Sequence, residues 1–300
     1  MHTLRRYGLL ALAYSLITSS SPLELFAQDV TPERLFAWVE DISGQDPEGR
    51  REFVRAELRK LDVTFQELPF DTTFERRGTS VTVSGTNIIA TIGSSGPLLV
   101  IGAHYDAVPG SPGSNDNGAG VAVLLGLAST LRSSQLPITV QLCFFDQEER
   151  GLIGSAVFVR DHADTVRHTA MINLDIVGFG SELFVGPVGG GDDDVIVPLV
   201  EASASAIGQH MLAADVYPSS DHSSFAHAGL ENISVSIVPK GDTKRVTAML
   251  KGGKMSDDTF PIVLKTMHTP NDGIDTIEPT SLMLAYRIVD GVVMRLSGKQ

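Results

Sequence analysis

The strongest constraint on the fold is a pair of continuous apolar runs separated by a polar, glycine-rich segment. Residues 98–103 carry no polar side chain, and residues 118–131 are almost wholly apolar. A strand that is apolar throughout has to be buried on both faces, which is typical of parallel sheets covered by helices. The same alternation continues, with strands predicted at 138–145, 171–174, 183–185 and 233–238 and helices at 152–160 and 195–207. We therefore predict an α/β fold, a three-layer α/β/α sandwich with a mixed, mostly parallel central sheet.

Other segments are predicted to surround this alternation. Thr31 followed by Pro32 indicates the start of a first helix, and an amphipathic helix beginning at Pro279 ends the chain. A second helix is predicted at 47–61, and a hairpin at the edge of the sheet from strands 63–74 and 81–92. Residues 240–258 are polar and contain glycines, and we expect them to form a functional or mobile loop.

The N-terminal residues differ from the rest of the chain. Arg5 and Arg6 precede an apolar run at 7–18, and small and polar residues then lead to Ala27. This order is typical of a secretory signal peptide, so we predict a signal peptide over 1–27, a single domain over 28–300, and a secreted or periplasmic protein. The apolar run is shorter than the ~20 residues of a membrane-spanning helix, so no membrane association is expected after cleavage. A retained anchor is the alternative.

Charge and cysteine content narrow the function further. The net charge of −13 makes nucleic acid an improbable partner. Because Cys143 is the single cysteine, an intrachain disulfide is impossible, and an exported chain has to rely on its core and on bound metal for stability. These features indicate no particular oligomeric state.

Acidic and imidazole residues follow three of the predicted strands. They are His104 and Asp106 after the first, Glu148 and Glu149 after the second, and Asp175 after the third. In open α/β sheets, sites assemble beyond the carboxyl ends of the strands, so these side chains should converge. Imidazole and carboxylate ligands suit zinc, cobalt or manganese, and the lack of an available thiolate argues against a closed structural zinc site. The sequence therefore predicts an open, catalytic metal site.

Each of these residues also has a simpler interpretation. Asp106 either accepts the ring N–H of His104, which shares its face of an extended segment, or is a solvated turn residue. Asp116 is either the N-cap of the apolar helix or a carboxylate that bridges two metals. Glu148 and Glu149 are either a solvated pair or a metal ligand next to a proton carrier. Among the remaining histidines, His268 is the best candidate ligand, whereas His222 and His227 fall in a predicted loop whose distance from the site cannot be deduced.

Six short segments occur in an order that matches a known family. They are AHYD, SNDNGAG, FFDQEERGLIGS, NLDIVG, SDHSSF and MHTPNDGIDTI, and they span about residues 100–277. In these segments the chain resembles the secreted and vacuolar co-catalytic zinc aminopeptidases, whose superfamily includes the glutaminyl cyclases. Each segment alone is weakly specific, but their order along the chain is strongly so.

The resemblance implies a site and an activity. It implies a metallopeptidase catalytic domain with two zinc ions, for which cobalt or manganese could substitute. The implied activity is hydrolysis of the N-terminal bond of peptides or small aminoacyl substrates, by a water molecule that both metals activate. The implied residues, by their positions in the segments, are His104 and Asp175 for one metal, Glu149 and His268 for the other, Asp116 as the bridge, Glu148 as general base, and Asp106 as the carboxylate that orients His104.

Two departures and three alternatives accompany this interpretation. Family members often carry a second aspartate in place of Asn115 and a small residue in place of Asp146, but neither position is an implied ligand. The main alternative is glutaminyl-peptide cyclisation on the same fold. A non-catalytic binding protein and hydrolysis of another amide, such as an acylated amino acid, are the other two.

Overall fold

The computed structural model describes residues 30–76, 78–93, 96–162, 169–189 and 194–298. The predicted signal peptide, residues 1–27, lies outside these ranges. Among the helices in the described ranges, none is both long enough and apolar enough to cross a membrane.

In the described part of the chain, eight strands form one mixed sheet in the order β1-β2-β4-β3-β5-β8-β6-β7. Strands β4, β3, β5 and β8 are parallel to one another and form the centre, β2 and β6 join them antiparallel, and β1 pairs with β2 as a hairpin at the edge. The predicted fold class is therefore confirmed. The strands are β1 (Phe65–Arg76), β2 (Thr79–Ile92), β3 (Leu98–His104), β4 (Thr139–Phe145), β5 (Thr169–Leu174), β6 (Glu182–Gly186), β7 (Met211–Ala213) and β8 (Glu231–Val238).

Helices cover both faces of the sheet. Apolar residues of α1, α2, α3, α5 and α8 pack on one face in a single large cluster, and those of α4 and α6 pack on the other around Phe145 and the buried Cys143. The helices are α1 (Pro32–Ile42), α2 (Pro47–Lys60), α3 (Ala119–Leu131), α4 (Ile153–Asp161), α5 (Ile196–Ala206), α6 (His222–His227), α7 (Asp242–Leu250) and α8 (Pro279–Leu296).

Helix α3 packs closely against the sheet at Gly120. A Cβ atom on Gly120, in its first turn, would stand 2.9 Å from the Cβ of Ala103 in β3 and 2.8 Å from the carbonyl oxygen of Leu174 in β5. Glycine is therefore required there, and it brings the start of α3 against the carboxyl ends of β3 and β5. The turn that precedes α3, residues Ser114–Gly118, contacts the end of β5, because Nδ2 of Asn117 donates to the Leu174 carbonyl at 2.8 Å.

Two loop predictions are wrong. Within 240–258, residues Asp242–Leu250 form α7, because the buried Asp242 carboxylate accepts the Val263 N–H at 2.8 Å and ties this helix to a later segment. Residues His222 and His227 begin and end the short helix α6. Phe225 at its centre packs against Phe145 of β4, with ring centroids 6.4 Å apart. Both helices depend on distant contacts, which local sequence patterns do not reveal.

Candidate metal centre

Side chains from separate segments converge above the carboxyl ends of β3, β4 and β5. His104 is the last residue of β3, Glu148 and Glu149 follow β4, and Asp175 follows β5. Two further side chains reach the same place from loops, Asp116 from the turn before α3 and His268 from the segment between α7 and α8.

Asp116 lies between the two histidines. Its Oδ1 is 3.2 Å from Nε2 of His104, and its Oδ2 is 3.0 Å from Nε2 of His268. Nε2 of His104 also lies 3.7 Å from Oδ1 of Asp175, and Nε2 of His268 lies 3.1 Å from Oε2 of Glu149. The site is therefore two overlapping triads that share one carboxylate.

The composition and polarity of the triads fit a divalent cation. In each triad the candidate ligand atoms lie within 4.8 Å of one another, and a third such group joins His104, Glu148 and Glu149. Oε1 of Glu149 and Oδ1 of Asp175 are buried, and neither has a hydrogen-bond partner among the described residues. A buried polar atom without a partner costs free energy, which a bound cation would offset. Imidazole and carboxylate donors of this kind suit zinc.

Burial and opposite charge shift the ionisation of the central groups. Burial works against the charged form of His104, but Glu148, Asp106, Asp116 and Asp175 outweigh it and hold the pKa of the ring well above its usual value. Burial also opposes ionisation of Asp116, yet the two histidines keep its pKa below the usual range. For Glu148, burial dominates and raises the pKa to about 9, although the His104 charge works against this. Carboxyl groups nevertheless outnumber the two histidines at the site, which contains Asp106, Asp116, Glu148, Glu149 and Asp175.

Asp106 contacts three parts of the site. Its Oδ1 lies 3.4 Å from Nδ1 of His104, and its main-chain oxygen lies 3.2 Å from the same nitrogen. The two carboxylate oxygens also accept the backbone N–H groups of Glu148 and Glu149, at 3.1 and 3.2 Å. One buried carboxylate thus connects the histidine of β3 to both glutamates that follow β4. Sequence spacing predicts only the first of these contacts.

The N-cap interpretation of Asp116 is wrong. The carboxamide of Asn117 caps the helix instead, since its Oδ1 accepts the Gly120 N–H at 3.0 Å, and its Nδ2 donates to the Leu174 carbonyl at 2.8 Å. Asn115 Oδ1 accepts the Gly178 N–H at 2.8 Å. The neighbours of Asp116 therefore anchor the turn to the end of β5, and its own carboxylate is left to face the histidines.

Sequence reasoning missed two buried charges next to the site. Arg50 of α2 is 1% exposed, and burial lowers its pKa to about 10. Its guanidinium group donates to the carbonyl oxygens of Tyr105, Ile42, Pro112 and Gly113. Asp272 is fully buried and accepts the backbone N–H groups of the Asp116 turn. Asp272 stands inside a segment that was singled out, MHTPNDGIDTI, but nothing in its spacing shows that it folds back on this turn.

His222 lies beside the site without joining either triad. It is 3% exposed, its Nδ1 has no hydrogen-bond partner in the described ranges, and burial lowers its pKa to about 4, partly opposed by Asp175. Its ring meets that of Tyr217 edge-on at 5.8 Å between centroids. His227, at the other end of α6, is exposed. His222 is therefore close enough to Asp175 to be affected by its charge, whereas His227 lies at the exposed end of α6.

Comparison of the sequence with known proteins identifies relatives. Residues 87–293 match peptidase family M28. Aminopeptidase YwaD of Bacillus subtilis is 30% identical over 210 residues, which are 68% of this chain and 42% of that protein. Leucine aminopeptidase 2 of Trichophyton rubrum is 32% identical over 135 residues, which are 44% of this chain and 26% of that protein. The matched regions thus span less than half the length of either relative.

Solved structures share the fold at lower identity. BSAP, a zinc aminopeptidase from Bacillus subtilis, superposes with a TM-score of 0.69 at 18% identity, covering 90% of this chain and 95% of that one. The glutaminyl cyclase of Porphyromonas gingivalis superposes with a TM-score of 0.70 at 20% identity, covering 90% of this chain and 99% of that one. At these identities the likeness concerns the fold alone.

Proposed function

The chain belongs to peptidase family M28, and from that premise we propose that it is an exported zinc-dependent aminopeptidase acting on peptides or small aminoacyl substrates. The observation that carries this proposal is the position of Asp116, whose two oxygens face His104 and His268 at 3.2 and 3.0 Å. One carboxylate shared by two triads is the arrangement expected of a two-metal hydrolase. Relatives named as aminopeptidases support the same activity.

In this proposal His104 and Asp175 would hold one zinc ion, Glu149 and His268 would hold the other, and Asp116 would serve both. Cobalt and manganese accept the same ligands. Bound zinc supplies the positive charge that makes a water nucleophilic near neutral pH and that stabilises a developing oxyanion.

Glu148 is the proposed general base. Its carboxyl belongs to the group formed with His104 and Glu149. Burial raises its pKa in the metal-free site, and the charge of bound zinc ions would lower it again, so that the carboxylate could accept a proton near neutral pH. It accepts a proton from the attacking water and passes it to the amine that leaves. Asp106 Oδ1 accepts the backbone N–H of Glu148 at 3.1 Å and thereby fixes the position of the backbone from which the Glu148 side chain extends.

The excess of carboxylates also supports a preference for chain ends. A substrate α-ammonium group is a cation, and Coulomb attraction to the site carboxylates favours its approach. An internal peptide bond offers no such charge. We therefore expect removal of single N-terminal residues rather than internal cleavage.

Hydrolysis of aminoacyl-nitroanilides by the zinc-loaded protein tests the proposal. Replacing Glu148 by Gln is expected to lower kcat by roughly 10²–10⁴-fold, because proton transfer is lost while the metal ligands stay. Glu201→Gln, at an exposed position of α5, is the matched control and should behave as the unsubstituted protein. Near-normal turnover by Glu148→Gln would remove Glu148 from the mechanism.

A glutaminyl peptide in the same assay separates hydrolysis from cyclisation. An aminopeptidase releases free glutamine and a shortened peptide, whereas a cyclase releases ammonia and leaves a pyroglutamyl peptide. Ammonia release without nitroanilide hydrolysis would replace the aminopeptidase proposal by the cyclase alternative.

Export and domain organisation are part of the same proposal. We expect residues 1–27 to be removed and residues 28–300 to act as one catalytic domain. N-terminal sequencing of the full chain recovered from the periplasm of a bacterial host should then begin at Gln28. Recovery of an unprocessed chain would contradict the signal peptide while leaving the activity intact.

A further inference from the structure

The segment after His268 folds back on the turn that carries Asp116. Oδ1 of Asp272 accepts the Asn115 N–H at 3.0 Å, and Oδ2 accepts the Asp116 N–H at 3.1 Å. The main-chain oxygen of Asp272 accepts the Ser114 N–H at 3.1 Å. Three hydrogen bonds therefore join residue 272 to three consecutive residues of the turn.

Both oxygens of the Asp272 carboxylate accept hydrogen bonds from this turn. The side chain is fully buried, and within the described ranges its two oxygens accept hydrogen bonds from the backbone of Asn115 and Asp116 and from no lysine or arginine. The charge of the buried Arg50 acts on Asp272, but Arg50 donates its hydrogen bonds to carbonyl oxygens, including that of Gly113 just before the turn. Burying a carboxylate is unfavourable unless charge-assisted hydrogen bonds offset it, and here both come from the Asp116 turn.

Asp272 thereby links two of the proposed ligands. It lies four residues after His268 in sequence and contacts the backbone of Asp116 directly, so it restrains the distance between these two side chains. His104 and Asp175 need no such link, because β3 and β5 are neighbouring parallel strands that pair at Gly102 and Asn173. The sheet places His104 and Asp175, whereas the hydrogen bonds of Asp272 hold Asp116 close to His268.

We propose that Asp272 is a positioning residue that sets the affinity of the metal site formed by Asp116, Glu149 and His268, with a smaller effect on the site formed by His104 and Asp175. This inference rests on the proposed function. Partners that orient metal ligands typically change metal affinity by about 10–100-fold when they are replaced. Asp272 acts through hydrogen bonds to the backbone of a ligand rather than by touching the metal or the substrate.

Zinc titration of the metal-free protein against a chelating dye tests the inference. In Asp272→Asn the side chain keeps its size but retains one acceptor oxygen, and its NH₂ group faces a backbone N–H. We expect one site to weaken by about 10–100-fold and the other to weaken by a smaller factor. Asp275→Asn makes the same substitution at an exposed position of the same segment and should bind zinc as the unsubstituted protein does.

Activity provides a second readout. If Asp272 positions a ligand, the turnover of Asp272→Asn should recover toward normal as zinc is raised to saturate the weakened site. Unchanged affinity at both sites, or an equal loss at both, would overturn the inference. Failure of the unsubstituted protein to bind zinc would instead refute the proposed function, so the two failures are distinguishable.

A milder variant covers the case in which Asp272→Asn does not fold. Asp272→Glu keeps the charge and both acceptor oxygens but displaces them by one methylene group. We expect the same site to weaken by about 10-fold, the lower end of the range for partners of metal ligands. Far-ultraviolet circular dichroism of the metal-free proteins checks folding. Normal affinity at both sites in a folded Asp272→Glu protein would contradict the role assigned to Asp272.

Discussion

The two halves of the proposed metal centre are built by different means. His104 and Asp175 stand at the ends of neighbouring strands, where His104 pairs with Phe145 of β4 and its side chain is 1% exposed. His268 lies on a loop, and its side chain is 46% exposed. Its backbone φ is 59°, a positive value that residues other than glycine seldom adopt. The first half inherits its geometry from the sheet, and the second depends on a few hydrogen bonds.

This difference has consequences for ion binding. A sheet cannot shift one strand end without breaking its hydrogen bonds, so His104 and Asp175 are held before any metal arrives. His268 is held by contacts to Asp116 and Glu149, whose hydrogen bonds raise its pKa to about 10. The loop half should therefore bind zinc more weakly and exchange it sooner.

The largest effect is expected where the halves meet, at Asp116. Asp116→Asn removes the shared charge, so both halves should lose zinc affinity and turnover should fall by at least about 10²-fold. Inductively coupled plasma analysis and the nitroanilide assay measure the two losses. Loss confined to one zinc ion would show that Asp116 belongs to a single half.

Replacing each histidine by Ala should separate the halves. In metal-free protein, His104→Ala leaves buried carboxylates without their partner and should lower the free energy of unfolding by about 3 kcal/mol. His268→Ala, at a half-exposed position, should change it by less than about 1 kcal/mol. Urea unfolding in the presence of a chelator compares the two variants, and equal destabilisation would contradict the asymmetry.

Arg50 connects the halves, so its replacement tests how far they are coupled. It donates to Tyr105, which follows His104, and to Gly113, which precedes the Asp116 turn. Arg50→Lys keeps the charge but cannot make the same set of hydrogen bonds, and we expect a loss of about 2 kcal/mol in unfolding free energy. Arg59→Lys, at an exposed position of the same helix, is the matched control. A normal unfolding curve for Arg50→Lys would show that the carbonyl contacts contribute little.

The smallest effect should come from a half-buried carboxyl group outside both halves, that of Asp290. Burial raises the pKa of the Asp290 carboxyl, and its Oδ1 has no hydrogen-bond partner among the residues described. A raised native pKa favours folding at low pH, and that contribution is lost as pH rises through the native value. Asp290→Asn should therefore be more stable than the unsubstituted protein at pH 7 by less than about 1 kcal/mol. The difference should vanish at about pH 3, below the usual aspartate pKa, and a difference independent of pH would contradict this assignment.

The same contrast explains what the sequence predicts. Apolar runs locate β3, β4 and β5, and the residue after a buried strand must emerge at the carboxyl edge, so His104 and Asp175 can be found from the pattern alone. The Asp116 N-cap interpretation failed because helix-cap preferences do not show which of several neighbouring polar residues turns toward the helix. Asn117 does so here.

Contacts between distant segments were beyond prediction. Asp272 bonds to residues more than 150 positions earlier, and Arg50 contacts Gly113 across 63 positions. Contacts of this kind produce no periodic pattern in the local sequence from which they could be predicted. Helix α7 was missed for the same reason. Its buried Asp242 accepts a hydrogen bond from the backbone of Val263, which is distant in sequence.

The most direct test is to add zinc stepwise to the metal-free protein. Bound zinc per chain and aminoacyl-nitroanilide turnover are measured at each step, so the activity can be compared with the filling of each half of the site. We predict no turnover without metal, uptake of two zinc ions with different affinities, and full turnover only when the weaker site is filled. His268→Ala should take up one zinc ion with the tighter affinity. Turnover by the metal-free protein, or the absence of any zinc uptake, would contradict the account.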